Sequence, residues 1–213
     1  MIHMIPKVLY ATLFVCFTSV SFAQNQQDAR RHIESVAKSK IEFNPDRVLV
    51  CSQHGCKKIS QVSIDKATWG EITSRFNTPN LAAATERALL AEYIADVEKV
   101  MGRKTHTNFD VGGTFNAYFT KQNIDSNQMD CIDESTNTLS YLKMLEVEHK
   151  IKSHEIVGLV SRGGLLAGYP HTAVLIEEFG SNEKYVVDSW FYNNGRPAVI
   201  LPYKTWKIGW IPN

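Results

Sequence analysis

Cys131, His171 and Asp188 are three residue types that together can activate a nucleophile. The thiol attacks, the imidazole takes its proton, and the carboxylate orients the imidazole. Cys131 stands in MDCIDESTNTLSYLKML, at the predicted start of a helix that follows a stretch of turn formers. A helix N-terminus favours the thiolate and presents N–H groups suited to an oxyanion. Asp130, Asp133 and Glu134 flank the thiol; they either raise its pKa or cap the helix and point away. His171 opens the strand-like run HTAVLIEEF, and Asp188 lies inside KYVVDSWFY. The GSNEK segment between them reads as a turn, so the two runs form a hairpin with His171 and Asp188 at similar height across it. Gln128 is a candidate side-chain donor to an oxyanion. Trp190 is a candidate shield that keeps water from the His–Asp pair. Plainer readings stand beside these: Cys131 as an inert buried thiol, His171 as a structural histidine, Trp190 as ordinary core.

The elements that must position these groups begin after a leader. Lys7, the apolar run Val8–Val15 and the small residues at Ser21 and Ala23 form a secretory signal peptide over residues 1–23. The apolar run is too short for a membrane span. Cys16 follows Val15 rather than a small residue, which does not suit lipidation. The remaining 24–213 suits one domain of about 190 residues. Without Lys7 the basic and acidic residues balance at 22 each. Nothing in that balance points to nucleic acid or an anionic membrane, partners that need a basic face, and no nucleic-acid partner is expected. No later segment is long and apolar enough to anchor the mature chain in a membrane.

Three of the four cysteines remain after the leader: Cys51, Cys56 and Cys131. An oxidising destination, periplasmic or secreted, favours pairing. Cys51 and Cys56 flank the turn-like SQHG and are expected to form a disulfide across a hairpin, leaving Cys131 free. Cys51, His54 and Cys56 supply too few ligands for a closed structural zinc site, so no metal and no organic cofactor is expected.

Two strands are predicted within residues 47–64 and a short helix over 65–76, with Asp65 as its N-cap. Leu89, Leu90, Tyr93, Ile94, Val97 and Met101 recur at helical spacing within 80–101, with Glu86, Glu92, Asp96, Glu98 and Lys99 placed on a solvated face and Gly102 as the stop. Residues 103–129 read as a long loop. A helix follows from Cys131 or Asp133 to about His149, then four β-rich runs. The fold class is α+β, with N-terminal helices followed by an antiparallel sheet.

The order Cys, His, Asp resembles the transglutaminase-like superfamily. The matching segments are MDCIDESTNTLSYLKML, PHTAVLIEE and YVVDSWF, over roughly residues 80–192. That resemblance implies a papain-like core, a thiol triad of Cys131, His171 and Asp188, and acyl transfer or hydrolysis of an amide in a peptide, protein or cell-wall peptide. The residues around His171 and before Cys131 depart from the family's usual aromatic- and glycine-rich pattern. Two other readings stay open: a non-catalytic binding module on the same fold, and a cell-wall peptidase of the NlpC/P60 type.

Overall fold

Val48–Ser52 (β1) and Lys58–Val62 (β2) pair antiparallel, with Val50 opposite Ser60. Asp65 then caps the helix Lys66–Thr73 (α1): its carboxylate accepts the Thr68 N–H at 3.0 Å, as expected for that residue type before a helix. A single 3₁₀ turn, Ser74–Asn77, leads to the long helix Ala83–Thr105 (α2). Cys131–Val147 (α3) follows, then His154–Arg162 (β3), His171–Glu178 (β4), Lys184–Asp188 (β5), Val199–Pro202 (β6) and the short helix Tyr203–Lys207 (α4). β3 to β6 form one antiparallel sheet in sequence order. The computed structural model describes residues 43–113, 127–163 and 170–212, within the unit Glu42–Asn213. The expected leader, the helix-compatible 24–41 and the middle of the 103–129 stretch lie outside the described residues. Mixed helices and antiparallel sheet make the fold α+β, and among the described residues no helix is long and apolar enough to cross a membrane.

α3 is buried nearly all round. Ile132, Leu139, Tyr141, Leu142, Met144 and Leu145 leave almost no surface to solvent. α3 lies against β4 on one side and β1 on another, so it is the central rod on which both sheets rest. α2 packs on it through Leu90, Tyr93, Ile94, Val97 and Met101, and the Tyr93 hydroxyl donates to the Tyr141 carbonyl at 2.8 Å. Each such fully buried apolar side chain contributes roughly 1.5–3 kcal/mol.

Two expectations for α2 change. The helix runs through Gly102 to Thr105, and His106 ends it in a left-handed conformation. Gly102 is needed for close approach: a Cβ there would lie 2.6 Å from Asn194 Oδ1. Glu86 and Glu98, placed by periodicity on a solvated face, are buried. Their partners are distant in sequence. Glu86 accepts the Lys152 and Ser153 N–H groups and pairs with His154 Nδ1 at 2.8 Å, and Glu98 accepts the Gly195 N–H at 2.8 Å.

Strand alternation divides the large sheet into two faces. Ala173, Val186 and Leu201 share one face and pack under Trp206 of α4. Val174, Ile176 and Val187 point the other way and are fully buried. In β4, His171 therefore belongs to the face covered by α4, and Thr172 to the opposite face.

Candidate active site

Asp130 is the N-cap of α3. Its Oδ1 accepts the Ile132 N–H at 3.0 Å and the Asp133 N–H at 3.1 Å, while Asp133 Oδ2 accepts the Asp130 N–H at 3.2 Å. This reciprocal capping box fixes Cys131 as the first helical residue. Asp130 and Asp133 of the acidic flank thus cap the helix, and their charge also reaches the thiol. Burial pushes the Cys131 thiol up, and the charges of Asp130, Asp188 and Asp133 add to that, opposed by a hydrogen bond from the Thr172 N–H. Cys131 is 9% exposed. Its sulfur therefore sits against β4 at the residue after His171.

His171 Nε2 meets Asp188 Oδ2 at 2.7 Å. The β4–β5 register pairs Val174 with Val187; continued by one step, it sets Asp188 opposite Ala173. His171 is thus the diagonal neighbour, two residues along on the same face, and the long imidazole closes the gap. The same Asp188 oxygen accepts the Trp206 indole N–H at 2.8 Å. Two donors on one oxygen lock the carboxylate in place. A carboxylate on Nε2 favours the tautomer with its proton there, which leaves Nδ1 as the basic nitrogen. Among the described residues, His171 Nδ1 and Glu98 Oε1 are buried side-chain atoms without a hydrogen-bond partner. A buried imidazole nitrogen left open is costly unless something uses it.

Aromatic rings enclose the imidazole. Trp190, Phe191 and Trp206 have centroids 4.6, 5.3 and 5.7 Å from it. β5 ends at Asp188, so Trp190 lies beyond the strand rather than on its face, yet its ring still covers His171. The Arg162 guanidinium stacks 4.7 Å from the Trp206 ring and donates to the Trp206 carbonyl. Burial lowers the pKa of Arg162, while the Asp188 charge favours its cation. Trp206 and Arg162 were not among the residues singled out by sequence: they stand 18 and 26 positions from Asp188 and belong to no motif. A Trp that could hydrogen-bond a buried carboxylate was the one available signal.

Gln128 is buried, and its amide holds a neighbouring turn. Oε1 accepts the Val111 N–H at 3.0 Å and Nε2 donates to the Phe109 carbonyl at 3.0 Å. One Nε2 hydrogen remains for any other acceptor. Cys51 and Cys56 form the expected disulfide. Cys51, Cys56 and Asp133 bring ligand-type atoms within 4.8 Å of one another. However, the sulfurs are bonded to each other, and both Asp133 oxygens already accept N–H groups from His54 and Cys56. The cluster is a carboxylate seat rather than a cation site. A cavity of about 580 Å³ between residues 76–81 and 148–152 shares no residue with the cysteine site.

Behind the helix start lies a buried acidic pair. Glu98 and Glu134 are within hydrogen-bonding reach, and Ser189, next to Asp188, donates to Glu134 Oε2 at 2.7 Å. Burial pushes Glu98 from its ordinary 4.5 to about 8, and Glu134 upward as well. A proton shared between the two carboxyls gives the open Glu98 Oε1 a partner. The native state then binds that proton more tightly than the unfolded chain, so stability falls as pH rises from about 4.5 to about 8 and then levels. Glu98→Gln keeps the acceptor for Gly195 and a donor for Glu134 without the charge. We expect it to stabilise the protein at pH 8 by on the order of 2 kcal/mol and to do little at pH 5. Urea midpoints at the two pH values check this, and an equal gain at both would refute the shared proton.

No family model, curated protein or solved structure matches the chain. Function is therefore to be read from the chemistry of the site itself.

Proposed function

We propose that the protein is a thiol-dependent acyl-transfer enzyme on a papain-like core, acting outside the cytoplasm on an amide in a peptide, protein or cell-wall peptide. One observation carries the reading. The buried His171 ring has Asp188 on one nitrogen and no partner on the other, while the Cys131 sulfur accepts the N–H of the adjacent Thr172. An imidazole so oriented is a base waiting for a proton. The Cys51–Cys56 disulfide suits an extracytoplasmic destination.

Because burial and three carboxylates hold the thiol high, the sulfur rests as a protonated thiol rather than as a preformed thiolate. Catalysis then follows the general-base route. The sulfur attacks the carbonyl carbon as its proton passes to His171 Nδ1, and Asp188 stabilises the imidazolium. The proton goes on to the leaving amine, and a thioester remains. Water or an amine attacks the thioester with the imidazole again as base, and the thiol returns. The Ile132 and Asp133 N–H groups are taken by Asp130, so the backbone N–H of Cys131 itself and the remaining Nε2 hydrogen of Gln128 are the candidate donors to the developing oxyanion. The aromatic enclosure keeps water from the His–Asp pair and strengthens it.

Alkylation with iodoacetamide tests this. Cys131 is expected to react at neutral pH, to react faster as pH rises, and to slow at least about tenfold in His171→Ala, with no labelling of Cys131→Ala. A rate indifferent to His171 would rule the enzyme out. A thiol that stays unreactive in the folded protein would favour the second reading, a peptide-binding module. The limited exposure of Cys131 is the observation on that side.

A further inference from the structure

Four consecutive residues, Gln53, His54, Gly55 and Cys56, have φ between 57° and 68°. This is a turn of left-handed backbone, and only one of its residues is glycine, the residue that tolerates it. Something must hold the other three there. The disulfide from Cys51 to Cys56 closes the turn. The other restraint is α3. The N–H groups of His54 and Cys56 donate to Asp133 Oδ2 and Oδ1 at 2.7 and 2.6 Å, and that of Gly55 donates to Asp130 Oδ1 at 3.1 Å. Successive left-handed residues aim their N–H groups into one concavity, which is the geometry of an anion-binding nest. One turn further along, Asn137 brackets the Cys51 backbone, accepting its N–H at 2.8 Å and donating to its carbonyl at 3.0 Å.

The two carboxylates in the nest are the ones that cap α3 and flank Cys131. We infer that the Cys51–Cys56 disulfide is a redox latch on the first turn of α3: its reduction loosens the segment that carries Cys131. Cys56 is only partly buried, so a dithiol can reach it. The dithiol gives two electrons and two protons and becomes a disulfide, and Cys51 and Cys56 become thiols. The open loop then relaxes from its left-handed conformation, and Asp133 and Asp130 lose the N–H groups that hold them. The latch stands on this geometry alone. Only its effect on turnover rests on the enzymatic reading above.

Amide hydrogen exchange on the full chain, before and after treatment with dithiothreitol, reads the latch without any substrate. With reduction verified by mass, the amides of His54, Cys56, Ile132 and Asp133 are expected to exchange at least about tenfold faster, while those of Val174, Ile176 and Val187 keep their protection. The Cys51→Ala/Cys56→Ala double variant should behave like the reduced protein. If that variant does not fold, the reduced wild type still decides. Unchanged exchange at the four amides overturns the latch. So does loss of protection throughout the sheet, which would make the disulfide a general staple of the fold.

Discussion

Asp188→Asn is expected to slow the thiol chemistry of Cys131 by about 10²–10⁴-fold in a chain that stays folded. Asp188 Oδ2 accepts from both His171 Nε2 and the Trp206 indole. An asparagine oxygen in that place can keep both donors, but it carries no full charge. The imidazolium that forms when His171 takes the thiol proton then loses its counter-ion. The shape of the side chain is unchanged, so the loss is one of charge rather than packing. The rate constant for Cys131 alkylation at neutral pH, with circular dichroism to confirm the fold, measures it before any substrate is known. A fall of less than tenfold would mean that Asp188 only fills space.

Asp133→Ala should cost the native state about 4 kcal/mol. The Asp133 carboxylate accepts the N–H groups of His54, Cys56 and Asp130. Truncation leaves three donors without their partner, and each such loss costs roughly 1–3 kcal/mol when the group is buried. Part of the sum is offset, because burial and the Asp130 charge already push the Asp133 pKa well up, so the carboxylate itself is held at a cost. Asp133→Asn restores an acceptor on one side and should recover about half. Urea denaturation with the disulfide intact separates the three proteins. A change within 1 kcal/mol for the alanine variant would show that the nest contributes little.

These two residues differ in how readable they were. Asp188 interrupts an apolar strand, and an ionisable group there has to be paired. Together with the hairpin turn this points to His171, although alternation of strand residues alone does not fix the diagonal register. Asp133 reads in the sequence as a charge near a thiol or as part of a helix cap, and neither reading reaches the disulfide loop. Its partners come from a disulfide loop some 77–79 positions earlier, a pairing that local periodicity does not encode. Glu98 misled for the same reason. Helical spacing placed it among solvated charges, whereas Gly195, Ser189 and Glu134 bury it at 4% exposure. Helix and strand identities come from patterns of three to seven residues, so they were largely legible. The second layer around the triad, Trp206 and Arg162 above all, depends on which distant segments meet.

The order of these contributions along the chain has a consequence for synthesis. The proposed nucleophile is at 131, its proposed base at 171, and the carboxylate at 188, but the indole that locks that carboxylate arrives only with residue 206. A nascent chain emerging N-terminus first carries the cysteine for many residues before the carboxylate is fixed. The thiol therefore passes through translation as an ordinary, weakly nucleophilic side chain, and under the proposed mechanism it gains its oriented base only when α4 docks.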